Sequence, residues 1–180
     1  MPPRELPKIR LLELRPSEFS EYIDMGLSGL LEPRGKLKEL VLRSKKVRGR
    51  VAQFSLAIMR KVYEGGGRYY KVLNEDPSIP GVEKGAEVGL CGLAVTGEQG
   101  VLFEQIIKPE FRRKGFGKAT RVEREKIARS RGAKTLYLDV GVSDSGQKRR
   151  VIREGYKPHR YRLNLWGLGG VSRSYRKRLK

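Results

Sequence analysis

One heptapeptide constrains this chain more than any other stretch: Arg112-Arg113-Lys114-Gly115-Phe116-Gly117-Lys118, set between a strand pattern and a helix pattern. Val101 to Lys108 reads as an extended segment stopped by Lys108-Pro109, while the residues from about Gly117 to Ser130 read as a helix. Two glycines let the backbone curl, so that successive N–H groups point inward at a helix N-terminus. Such a curl suits a diphosphate, and the flanking cations add attraction. Two rival phosphate loops are excluded by spacing. A P-loop needs glycine where Arg112 stands and Ser or Thr where Ala119 stands, and a dinucleotide fingerprint needs a third glycine where Thr120 stands.

The rest of the chain must supply a scaffold for that loop. Its 180 residues are enough for one domain with a real core, and the 38% hydrophobic residues recur in periodic blocks. A single cysteine, Cys91, excludes a disulfide framework, and with a single histidine, His159, there are too few soft ligands for a metal centre. Both are expected to be structural, Cys91 in an apolar strand and His159 at the surface. No apolar run approaches the ~20 residues that span a bilayer, and the opening MPPRELPKIR has no apolar signal core. The expectation is a soluble, cytoplasmic protein with no metal and no membrane partner.

Ile9 to Leu14 reads as a first strand, followed by a helix with Ser17 at its N-cap and Phe19, Tyr22, Ile23, Leu27 and Leu30 at helical spacing. Pro33-Arg34-Gly35 breaks it. A second helical run sets Leu37, Leu40, Val41, Val47, Val51, Phe54, Ile58 and Val62 on one face, with Gly49 a candidate division and Gly65-Gly66-Gly67 the end. Strands follow at Arg68 to Leu73, Ala86 to Thr96 and Val101 to Lys108, the last two joined as a hairpin. After the glycine loop and its helix come a strand at Leu136 to Val140 and a helix from about Ser143 to Arg153 stopped by Gly155. A strand near Tyr161 to Trp166 comes last among the clear elements. This order predicts an α/β fold with a mostly antiparallel first half.

The loop resembles the acyl-coenzyme A loop of the GNAT superfamily, Gln/Arg-x-x-Gly-x-Gly/Ala, here Arg112-x-x-Gly115-x-Gly117. Its approach through Ile106-Ile107-Lys108-Pro109-Glu110-Phe111 is similar, as are the spacing to Leu136-Tyr137-Leu138-Asp139-Val140 and the ending Arg153-Glu154-Gly155-Tyr156. The closest likeness is to the branch that acetylates protein N-termini, those of ribosomal proteins included. The resemblance implies a single GNAT domain over residues 1–180, with 171–180 as closing strand or tail. Its central sheet would be mixed and mostly antiparallel, splayed at the acyl-coenzyme A site and flanked by helices. It also implies acetyl-coenzyme A as cosubstrate. The backbone of Arg113, Lys114, Gly115, Phe116, Gly117 and Lys118, after Arg112, would hold the diphosphate, and Gln105, Ile106 and Ile107 would pair with the pantetheine arm. Asp139, in the strand after the helix, takes the position of a general base, with Glu104 as second candidate. Asp144 stands where the family has an Asn that contacts the cofactor arm. Val151 stands where it has a proton-donating Tyr, and valine cannot donate a proton.

Charge points to a partner. Forty Lys and Arg against 20 Asp and Glu give +20, a field that attracts polyanions and repels cations. The excess is clustered in Arg34 to Arg50 and in Ser145 to Lys180. Candidate RNA contacts are therefore Arg43, Lys45, Lys46, Arg48 and Arg50 in the first cluster, and Arg173, Arg176, Lys177 and Arg178 in the second. With no aromatic single-strand platform visible, binding is expected to be nearly indifferent to sequence. Two functions stay open: an N-acetyltransferase acting on a primary amine on or near a ribonucleoprotein, and a GNAT-fold RNA- or ribosome-binding protein with little or no catalysis.

Overall fold

The computed structural model describes residues 5–23, 44–141, 144–164 and 170–179, with the backbone alone at 45–48, 51, 162–164, 170 and 171. Among the described residues seven strands hydrogen-bond in the order β1-β2-β3-β4-β5-β7-β6, so β7 inserts between β5 and β6. They are β1 (Ile9–Glu13), β2 (Arg68–Asn74), β3 (Glu87–Thr96), β4 (Gln99–Ile107), β5 (Thr135–Gly141), β6 (Lys157–Asn164) and β7 (Gly170–Arg178). The helices carried through the described residues are α1 (Lys45–Glu64), α2 (Phe116–Ser130) and α3 (Ser145–Arg153). The sheet is mixed, as the sequence predicts, and the 171–180 segment contributes its closing strand. The chain divides into two compact units, Met1–Gly92 with Glu104–Arg121, and Leu93–Phe103 with Val122–Lys180.

In the first unit β1 and β2 pair antiparallel from Ile9↔Asn74 to Glu13↔Tyr70. The chain then turns at Pro16, and Arg15, not Ser17, is the N-cap: the Glu18 carboxylate reaches back to accept from the Arg15 N–H at 2.8 Å. Proline at the first helical position explains the shift, because its fixed φ suits that site and its missing N–H costs nothing there. Helix then runs over residues 19–23, and the expected continuation to Leu30 and the break at Pro33 lie outside the described residues. Buried Phe19 packs edge-on against Tyr69 and Tyr63, with ring centroids 5.6 and 5.9 Å apart. Leu14, Val72, Val88, Leu90 and Cys91 complete this core, with Cys91 buried as expected.

Helix α1 is unbroken through Gly49, contrary to the division expected there. One exposed helical glycine costs about 1 kcal/mol, which twenty proline-free residues with several Lys and Arg absorb. Met59 is its buried anchor, whereas Phe54, expected on the buried face, is 62% exposed. Gly65 and left-handed Gly66 end the helix by donating to the carbonyls of Lys61 and Tyr63.

In the second unit β4 and β5 are parallel from Gln99↔Thr135 to Leu102↔Leu138, the pairing that a crossover through α2 produces. Strand β7 lies antiparallel to β5 from Thr135↔Arg178 to Gly141↔Ser172, and antiparallel to β6. Strand β6 begins at Lys157, earlier than the pattern at Tyr161 to Trp166 suggests; Trp166 lies outside the described residues. Alternation on β5 buries Leu136, Leu138 and Val140, and these pack with Leu93, Leu102, Val151, Tyr156 and Tyr175. Gly100 is required by close approach, since a Cβ there would lie 2.5 Å from the Leu136 side chain.

Candidate functional site

Strand β4 enters the loop through one 3₁₀ turn, Pro109–Phe111, and α2 begins at Phe116. The N–H groups of Phe111 and Arg112 close that turn, and those of Lys118 and Ala119 both reach the Gly115 carbonyl at the start of α2. Between them no acceptor among the described residues takes the N–H groups of Arg113, Lys114, Gly115, Phe116 and Gly117. Lys118 thus leaves the expected set of backbone donors, and five consecutive donors remain at a helix N-terminus. N–H groups at a helix N-terminus that have no protein acceptor are available to an anion.

Two residues impose the curl. Gly115 has φ +94, and Arg113 has φ +61. The left-handed arginine costs roughly 1–2 kcal/mol, and nothing in the sequence signals it. Gly117 is glycine for a different reason: a Cβ there would sit 3.1 Å from the Gln105 amide nitrogen, which donates to the Gly117 carbonyl at 2.7 Å. The loop's cations are tied to its own scaffold. Arg112 donates to the Ile107 carbonyl at 3.0 Å, and Lys114 to the Pro80 carbonyl at 2.6 Å. The Pro80 segment is itself held by fully buried Asn74, whose side-chain nitrogen lies 3.0–3.1 Å from the carbonyls of Asp76, Val82 and Glu83. Pro7 packs its Cδ against the place a Gly115 side chain would occupy. Pro80 and Pro7 have no local sequence signal because each meets the loop across a large sequence distance.

Upstream, the register of β4 with β5 includes none of Gln105, Ile106 and Ile107. Gly89 of β3 lets the Ile106 carbonyl approach closely: a Cβ there would stand in its van der Waals sphere. Glu104 has φ +38, a conformation that glycine tolerates and glutamate rarely adopts. Burial pushes its carboxyl up to about 7 from an ordinary 4.5. The phenol of fully buried Tyr69 is raised well above its ordinary value, first by burial and then by the nearby Glu104 charge. A strained, desolvated carboxyl that titrates near neutrality has the properties a general base needs.

Asp139 is exposed on β5, opposite Ser174 of β7. Tyr137, two residues earlier on the same face, has its ring 5.6 Å from that of His159. Asp144 is the N-cap of α3, with its carboxylate accepting from the Gln147 N–H at 2.8 Å. Val151 is fully buried in the same helix. Of the basic candidates, Arg43 lies outside the described residues, and the side chains of Lys45, Lys46 and Arg48 are not described. Arg50, Arg176 and Arg178 are exposed. Lys177 is half-buried and paired to Glu125 at 2.7 Å, and Arg173 lies over the Tyr161 ring at 5.1 Å. No group of His, Cys, Asp and Glu among the described residues could hold a metal ion. No helix among the described residues is long and apolar enough to cross a membrane.

By sequence, no family model and no curated protein matches the chain. By structure, the likeness extends over nearly its whole length. A GCN5-related N-acetyltransferase from Rhodopseudomonas palustris superposes with a TM-score of 0.63 at 15% identity, over 97% of each chain. PaiA N-acetyltransferase from Thermoplasma acidophilum, in complex with coenzyme A, gives 0.60 at 15% over 96% of this chain and 99% of that one. A GNAT family acetyltransferase from Elizabethkingia anophelis, with acetyl-CoA bound, gives 0.58 at 14% over 95% and 98%. The chain therefore has the fold of the GNAT acetyltransferases.

Proposed function

We propose that the chain transfers an acetyl group from acetyl-coenzyme A to a primary amine, with the Arg112 to Lys118 loop gripping the diphosphate. The observation that carries this reading is the run of five acceptor-free N–H groups from Arg113 to Gly117, curled by a left-handed Arg113 and Gly115. Donors held in place before the ligand arrives bind an anion at little reorganisation cost. The β4 backbone at Gln105, Ile106 and Ile107 is the natural strand-like partner for the pantetheine arm, because its register with β5 has already ended.

When bound, the thioester supplies an activated acyl group, so no metal or redox chemistry is called for. The protein's own task is to position the amine and remove its proton. Glu104 takes the base role ahead of Asp139. Its carboxyl is desolvated and titrates at about 7, so it is half ionised at neutral pH and still basic enough to accept a proton. Exposed Asp139 has no such environment. Val151 leaves the usual acid position apolar, and a thiolate of ordinary thiol acidity can leave without it.

The acceptor most consistent with +20 is an amine carried by a polyanionic assembly, such as a protein N-terminus on or near a ribonucleoprotein in the cytoplasm. The decisive experiment incubates the protein with acetyl-coenzyme A and N-terminal peptides of ribosomal proteins, following thiol release and peptide mass. Acetylation of the peptide α-amine is expected. A protein that neither binds coenzyme A in calorimetry nor releases thiol with any amine would overturn the reading.

A further inference from the structure

Strands β5, β7 and β6 of the second unit carry the apolar Leu136, Leu138 and Tyr175 on one face and most of their exposed charges on the other, where Ser172 and Ser174 are buried between them. Directly opposed residues of antiparallel strands share a face, so the registers define rows across the charged side. Tyr137, Arg176 and Lys157 form one row, and Thr135 and Arg178 the next. Asp139 and Ser174 form the row on the other side. There the β6 bulge sets two residues, His159 and Arg160, against the single Ser174, because Pro158 pairs with Tyr175 and Tyr161 with Arg173.

Lys157, His159, Arg160, Arg176 and Arg178 are all exposed, and Asp139 is the only carboxylate in these rows. None of the four cations pairs with a carboxylate among the described residues. Lys157 and Arg176 stand directly opposite each other, a like-charge pairing that opposes strand association. On the other face Lys177 is neutralised by Glu125, so the fold does pair cations where it has a carboxylate. Beside the cations the exposed His159 ring leans on Tyr137, with an interplanar angle of 50°. Cations that follow a backbone and a ring that can take a base are the two parts of a single-strand platform.

We infer that this charged face of β5, β7 and β6 binds single-stranded RNA, with the exposed Lys157, Arg160, Arg176 and Arg178 on phosphates and the His159–Tyr137 pair against a base. The ring pair decides for RNA over an acidic peptide, since a peptide would use the cations alone. The inference rests on the polyanion part of the functional reading and is independent of acetyl transfer. It also changes the expected contact set: Arg173 and Lys177 alternate to the other face, while Lys157, Arg160 and His159 join.

The test measures fluorescence anisotropy of labelled oligouridine with the full chain across a potassium chloride series. The wild type should bind with a steep salt dependence. K157Q/R160Q/R176Q/R178Q should lose at least about tenfold in affinity, and its log–log slope should flatten by roughly 3, at about 0.7 per phosphate contact. R149Q/R150Q/R153Q removes exposed charge from α3 and should leave most of the binding intact. His159→Ala should weaken binding roughly fivefold or more with the slope unchanged, as loss of one stacked base does. Circular dichroism melts confirm that each variant is folded. Equal losses in the α3 and sheet variants would overturn this surface while leaving a polyanion partner. Equal binding of polyglutamate with a silent His159→Ala would make it an acidic-protein dock. No binding of oligouridine by the wild type would sink both the surface and the ribonucleoprotein reading, and leave acetyl transfer standing.

Discussion

At Gly115 two separate constraints coincide: a left-handed φ of +94, and a Pro7 Cδ that would lie 2.9 Å from any Cβ. Either one disfavours a side chain, and together they make any residue but glycine strained at this position. Gly115→Glu adds a negative charge where a diphosphate is to sit, so coenzyme A heat in calorimetry should vanish while the melting temperature falls only slightly. Equal affinity in the two proteins would remove the loop from the site. Glu104 carries the second residue-scale prediction. Its folded carboxyl holds a proton to about pH 7, while the unfolded chain releases it near 4.5. The folded state is thus the better proton binder across that interval and loses stability as pH rises through it. Glu104→Gln should flatten this loss in urea titrations run between those limits. It should also lower turnover by roughly 10²–10⁴ and abolish a rise in rate centred near pH 7, whereas Asp139→Asn should change turnover little. A larger effect at Asp139 would exchange the two roles.

Helix α2 links the loop to the rest of the fold, and its inner side is unusually polar. Thr120, Arg121 and Arg124 are buried there, with the Thr120 hydroxyl on the Phe116 carbonyl and Arg124 on that of Phe103. One turn on, Glu125 accepts from the Tyr156 hydroxyl at 2.8 Å and from Lys177 at 2.7 Å. These bonds join α2 to the start of β6 and to β7 by direction as well as by area, which a plain apolar stripe would not do. Glu125→Ala strands a half-buried ammonium and a phenol, at a cost of about 1–3 kcal/mol. Tyr156→Phe should cost less, about 1 kcal/mol. A double-mutant cycle in urea should show coupling between the two, because both report on one carboxylate. Strict additivity would mean that Glu125 acts through Lys177 alone.

For the molecule as a whole the governing quantity is +20, twice as many cations as carboxylates. Its field raises the local concentration of any polyanion and lowers that of any polyamine, and both effects fade with salt. With an anionic peptide as acceptor, the Michaelis constant should rise as potassium chloride is added, with turnover nearly constant. With a cationic amine it should fall. Measuring both at fixed acetyl-coenzyme A separates steering of the acceptor from steering of the cosubstrate. A Michaelis constant flat in salt for both acceptors would confine the charge to surface solvation.

Much of this was legible in the sequence, for one physical reason: it was local. Periodicity placed β1 to β5 and α2, Gly65 and Gly155 marked helix ends, and Arg112-x-x-Gly115-x-Gly117 marked the loop, because each depends on neighbours a few residues away. The N-cap at Arg15 and the unbroken passage through Gly49 were decided by energies of about 1 kcal/mol, too close for pattern alone. What depended on distant segments needed the fold. Pro7 and Pro80 meet the loop from far along the chain, and the burial that raises the Glu104 carboxyl exists only in the fold. Arg176 and Lys157 become opposed only because β7 inserts between β5 and β6. Local backbone preference wrote the elements and the Gly115 turn into the chain, whereas the left-handed Arg113, desolvation and charge proximity exist only after folding has brought the segments together.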